Sequence, residues 1–160
     1  MAGCLGVVSN HGSAIAPSQL TATDLKKHMS QLSIEIDEHR TNFHPGETIS
    51  VLIDWSLATE PESIELRAVW NTVGKGTTDL GIEHSIVIDS PGLSESRWVE
   101  FPLPGAPYSF SGKLISLVWA LELVVMPSED SARTEITIAP NGSEILLTPA
   151  DAGSTSGDQS

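Results

Sequence analysis

The segment Gly74-Lys75-Gly76-Thr77-Thr78-Asp79 combines the residue types that cradle a phosphate. Glycines let backbone N–H groups approach an anion, a lysine neutralises it, and a threonine hydroxyl can reach a metal ion. The spacing argues against that chemistry. A phosphate loop needs Gly-x4-Gly-Lys-Ser/Thr between a strand and a helix. Here Lys75 precedes the second glycine, and an isoleucine-rich alternating stretch follows. The expectation is an exposed hairpin loop over residues 72–81. Lys75, Thr77 and Asp79 are its candidates for touching a partner, because exposed loops carry function.

Other residues of chemical interest lack a productive pattern. His39, His44 and His84, with Glu83 or Asp37, are metal-ligand types, but no pair has a recognised ligand spacing. Serine, histidine and aspartate all occur without a Gly-x-Ser-x-Gly elbow to expose a nucleophile. Glu122 interrupts the longest apolar run, where a carboxylate is costly unless paired or hydrated. Arg67 or Arg97 on a neighbouring strand is its expected partner, and its expected role is structural. No catalytic group, metal or cofactor is expected. Among the tryptophans, Trp55, Trp70 and Trp119 fall on the apolar side of their strands and read as core. Trp98 is out of step with Val99, Phe101 and Leu103. It is expected at the surface, as a partner-binding residue or a platform for stacking a sugar.

The elements that must position these residues are strands. The run at residues 113–126 (KLISLVWALELVVM) places Ile115, Leu117, Trp119, Leu121, Leu123 and Val125 at period two, between Gly112 and Pro127. That is a strand buried on one face and largely covered on the other. It is short of a membrane span and is interrupted by Glu122. Alternation also marks 32–37, 49–57, 64–71, 82–89, 97–103 and 134–138, with a last short strand at 144–148. In the 82–89 stretch, Ile82, His84, Ile86 and Ile88 are expected on one side. Seven or eight short strands separated by turn signals predict an all-β, antiparallel, immunoglobulin-like β-sandwich. Residues 1–30 read as a flexible leader, 31–148 as the sandwich domain, and 149–160 as a disordered tail.

The 160 residues suit one domain. The net charge of -13 and the total of 8 Lys and Arg disfavour nucleic acid and anionic membranes. The acidity serves solubility or a basic partner. Cys4 is the sole cysteine, so no internal disulfide forms, and a reducing compartment fits. The first residues lack the pattern of a secretory signal, which gives a cytoplasmic expectation. The Lys26-Lys27 doublet reads as solvated surface.

Two segments together resemble arrestin-like domains. Phe43-His44-Pro45-Gly46-Glu47-Thr48-Ile49 is similar to the aromatic-x-Pro-Gly-Glu-x-(Val/Ile) corner that leads into an early strand of that family. Phe101-Pro102-Leu103-Pro104, with Pro107-Tyr108-Ser109-Phe110-Ser111-Gly112-Lys113, is similar to its approach to the long strand. There are physical reasons for these residues: Pro45 and Gly46 set a corner, Phe110 can plug the sandwich end, and Gly112 lets backbones approach. The chain has length for one such lobe. Glu35 and Asp37 stand where phosphate-sensing family members carry basic residues, and Val51 replaces a small residue. The resemblance implies the fold and an adaptor or scaffold habit, not receptor or phosphate binding. The expected partner is a protein, met by pairing at a sheet edge, or a second copy of the chain in a homodimer.

Overall fold

A computed structural model describes residues 30–148. Apart from Ser30, the expected leader with Cys4 and Lys26-Lys27, and the expected tail, lie outside the described residues. Ten strands run in the order β1 (Gln31–Ile36), β2 (Asn42–Phe43), β3 (Thr48–Ser56), β4 (Ser63–Gly74) and β5 (Leu80–Asp89), then β6 (Ser94–Pro102), β7 (Phe110–Gly112), β8 (Ile115–Met126), β9 (Ser131–Ile138) and β10 (Ile145–Leu147). A 3-10 turn at Asp37–His39 is the only helical element among the described residues.

The strands form two sheets. The smaller has the order β1-β3-β6, antiparallel throughout. The larger runs β10-β7-β8-β4-β5, with β9 also paired to β8. The long pairs are antiparallel, while β2 lies parallel to β9 and β10 parallel to β7. The protein is therefore an all-β sandwich, as expected, with two short parallel pairs added. The expected strands are present, and those at 63–74, 80–89, 94–102 and 131–138 are longer than the alternation alone suggests. The additions are β2 and β7, in segments read as turn and loop.

Strand β8 is the centre. It pairs with β4 along one edge, from Ser63↔Met126 to Gly74↔Ile115, and with β9 along the other. Leu117, Trp119, Leu121, Leu123 and Val125 face the smaller sheet and are buried. They meet Ile36, Val51, Ile53, Trp55 and Phe101 from that sheet in one apolar cluster. Burial of this surface is the main stabilising term, and the two-residue period creates it. The outward set of β8 is closed over by side chains from its neighbours. The Arg67 guanidinium donates to Glu122 at 2.9 Å, so Arg67 and not Arg97 is the partner of this carboxylate. Arg133 of β9 reaches across β8 to donate to Asn71 of β4 at 2.6 Å. Arginine stems of this kind cover apolar surface beneath a charged head, and Val69 and Ala120 below are buried.

One expectation is corrected. Ile82 does not share a face with His84, Ile86 and Ile88. The β4–β5 register runs Ala68↔His84 and then Val69↔Ile82, so Glu83 is an extra residue in β5. A bulge shifts the alternation by one position. It turns Ile82 to the outer face, where it is 50% exposed.

Candidate functional site

The two motif segments meet at one end of the sandwich. Thr48 is opposite Pro102 in the β3–β6 register. The Leu103 N–H donates to Glu47 O at 2.8 Å and the Gly46 N–H to Pro104 O at 3.1 Å. Gly46 has φ 75°, a left-handed conformation that a side chain resists, so the Pro-Gly corner needs its glycine. The Glu47 carboxylate accepts from the Arg40 guanidinium at 2.8 Å and from the His44 backbone N–H at 2.9 Å. The Arg40 hydrogen bond, and then that of His44, holds the Glu47 carboxyl below its usual range. The same pairing raises Arg40, which also lies over the Phe43 ring.

The second motif completes this closure. Ser109 is buried, and its N–H donates to Ile138 O at 2.7 Å while its Oγ accepts the Ile138 N–H at 2.9 Å. Phe43 O accepts from Ala139 N–H, and Ser109 O from Ile145 N–H. The Trp119 indole N–H donates to Pro107 O at 2.8 Å, fixing the Pro-rich loop on the core. Phe110 packs half-buried against that core. A Cβ at Gly112 would stand 2.6 Å from Ile115 O, so the backbone approach expected there is present. The Glu47, Ser109 and Trp119 side chains of this end are engaged within it, which suits a closed structural seam.

The opposite character belongs to the side of the sandwich where β5 and β6 run. Each is an end strand of its sheet, so each leaves one backbone edge unpaired by another described strand. Between them lies an open cleft of about 550 Å³, lined among others by Ile86, Val87, Ile88, Asp89, Arg97 and Trp98. Charged Glu95 and Arg97 occupy the β6 positions opposite Trp55 and Ile53, and they hydrogen-bond each other. Inward charges on an edge strand discourage indiscriminate pairing. The β5 edge has neither lysine nor proline, and it exposes Leu80, Ile82 and Val87. Its only irregularity is the Glu83 bulge, where the carboxylate accepts the Trp70 indole N–H at 2.9 Å.

The predicted site residues fall into two separate places. Lys75, Thr77 and Asp79 are exposed in the β4–β5 hairpin loop. That loop is tied down by Thr72 N–H to Asp79 O, Asp79 N–H to Thr72 Oγ1, and Lys75 N–H to Leu114 O. A strand and not a helix follows, so the residues form no phosphate cradle. Trp98 lies on β6, opposite Leu52, and is 57% exposed, as its phase requires. It lines the cleft near Val87, while the loop sits at the other end of β5, roughly 20 Å away at ordinary strand rise. The histidines are also dispersed: His44 Nδ1 lies 2.9 Å from Pro140 O, His84 meets the Phe101 ring edge-on, and His39 lies beside Glu35. Among the described residues no group of three or more His, Cys, Asp or Glu is placed to hold a metal ion. No helix among them is long and apolar enough to cross a membrane. Sequence reasoning missed Val87 and Asp89 as surface candidates. The signal was Val87 itself, an apolar residue on the side of an alternating strand that should be polar.

No family model matches the sequence, and no curated protein matches it either. Solved structures of similar shape include the sporulation control protein Spo0M from Bacillus subtilis. It has a TM-score of 0.49 and 15% identity over 69% of this chain and 49% of that one. A β-glucosidase from Listeria innocua has a TM-score of 0.40 and 13% identity over 73% of this chain and 17% of that one. The chain thus spans about half the length of the Spo0M structure and a small part of the glucosidase.

Proposed function

We propose that this chain is a non-enzymatic, arrestin-like adaptor or scaffold domain of the cytoplasm that binds protein partners by strand addition at β5. The observation that carries the reading is the β5 edge: ten residues with no described strand on their outer side and with exposed Leu80, Ile82 and Val87. An edge of this kind is a template for a partner strand, with main-chain hydrogen bonds supplying affinity. The arrestin-like part of the reading is supported by the two sequence motifs and by their direct contact through Gly46, Glu47, Leu103 and Pro104. The test is backbone hydrogen exchange of the protein with and without a partner cross-linked from native extract. Slowed exchange along β5, lost in Val87→Lys, is expected. Protection elsewhere with β5 unchanged would overturn the reading.

A second reading, a carbohydrate-binding sandwich, is favoured by one observation, the 57% exposure of Trp98. Aromatic faces stack on sugar rings through their apolar side. Titration with a glycan panel should then change tryptophan emission in the native chain and not in Trp98→Ala. A flat response removes this reading.

A further inference from the structure

We infer that the strand taken up by β5 is short, amphipathic and basic. This rests on the strand-addition reading above and names the chemistry of the partner. Its length follows from the bulge. Extra residues at an edge interrupt pairing, so Glu83 divides β5 and leaves His84–Asp89 as the regular stretch. That stretch borders the cleft between the sheets.

The side-chain pattern follows from the two faces. On the inner face an added strand would sit beside Ile86 and Ile88, facing Val99 of β6. On the outer face it would sit beside Ser85 and Val87. Apolar residues in its middle therefore meet apolar neighbours on either face, as cross-strand pairs require.

The charge follows from the rim. Asp89, Glu95 and Glu100 line the cleft, against Arg97 as the lining cation. The Arg97 guanidinium and the Glu95 carboxylate hold and neutralise each other, which leaves Asp89 and Glu100 as the excess charge of the cleft. Glu83 adds a further carboxylate at the bulge. An approaching Lys or Arg thus meets carboxylates at both ends of the regular stretch. An acidic strand meets like charge, which is costly across an interface. The same argument disfavours a second copy, because each copy carries a net charge of -13 and would bring its own Asp89 and Glu100.

The test uses two synthetic peptides of about eight residues, the length of an ordinary strand. Both alternate Val and Ile with Thr, and they carry either lysine or glutamate at the same terminal positions. Backbone amide shifts of the full chain are followed by NMR at low and moderate salt. The lysine peptide should shift the His84–Asp89 amides and bind about tenfold more tightly than the glutamate peptide, with the gap narrowing as salt rises. In Asp89→Lys/Glu100→Lys the order should reverse. Equal shifts of β5 by both peptides would leave strand addition standing and overturn the basic assignment. No β5 shift by either peptide would overturn both. Shifts by the lysine peptide confined to residues away from β5 would mark diffuse attraction to an acidic protein and overturn the assignment. A native dimer on sizing that Val87→Lys dissociates would assign the edge to a second copy instead.

Discussion

The end of the sandwich where the two motifs meet and the side where β5 and β6 run are built from the same kind of strand, yet the first is laced by hydrogen bonds between distant segments while the second leaves two backbone edges without a described neighbour. At the motif end, Glu47, Ser109, His44 and the indole of Trp119 all have partners within the chain. At the β5–β6 side, apolar Leu80, Ile82, Val87 and Trp98 face solvent. The recognisable sequence pattern thus belongs to the part that closes the fold. The surface proposed for a partner is made of residues with no pattern of their own.

The largest expected effect is in the core beneath both regions. Leu121 is fully buried on β8. Leu121→Asp would place an unpaired charge there, at a loss of about 4 kcal/mol or more, a large part of a typical domain's stability. Thermal unfolding should show no folded baseline at ambient temperature. Val87→Asp, on the exposed edge, should melt close to the native chain. Equal loss from the two substitutions would break the distinction between buried and open β-surface.

The next effect tests the seam. Ser109→Ala removes the hydroxyl that accepts the Ile138 N–H and leaves a buried donor unpaired. Such a group costs about 1–3 kcal/mol. Denaturant unfolding should show a lower midpoint with an unchanged slope. A neutral result would mean that the seam around Ser109 is not held by its hydrogen bonds.

A smaller effect depends on pH. The Glu47 carboxyl is held below its usual range by Arg40 and by the His44 N–H. A carboxyl with a depressed folded-state pKa stabilises the fold above its unfolded pKa. That contribution is lost as pH falls through the folded value. Stability should therefore decline on acidification below the ordinary glutamate range, and Glu47→Gln should flatten that part of the decline. The effect is modest because the pair is partly solvated. An identical acid limb in Glu47→Gln would remove this carboxyl from the seam.

Much of the sandwich was legible because burial of one sheet face imposes a two-residue period on the side chains. The inward set of β8, the partnership of Glu122 with a neighbouring arginine, and the exposure of Trp98 all follow from that period. The short strands β2 and β7 were not legible. Phe43 pairs with Ile138 and Phe110 with Leu117, so their strand state is imposed by distant segments. The turn of Ile82 to the outer face was hidden by the Glu83 bulge, which has no local signature. The status of β5 as an edge was hidden for a different reason. Alternation shows that a strand is half-buried, but the order of strands in the sheet decides which backbone edge is left free.

The smallest expected effect on stability is the most direct probe of the open side. Trp98 is 57% exposed and Trp119 is fully buried. Trp119→Ala should cost about 3–5 kcal/mol, through lost burial and a cavity. Trp98→Ala should change stability by no more than about 0.5 kcal/mol. The emission of the native chain should contain a solvent-exposed, red-shifted component from Trp98, so Trp98→Ala should move the spectrum to the blue. A large loss of stability in Trp98→Ala, with no blue shift, would mean that this ring is packed and the β5–β6 side closed. A blue shift with unchanged melting would leave a large aromatic surface that folding does not require, beside a strand edge that no described strand covers.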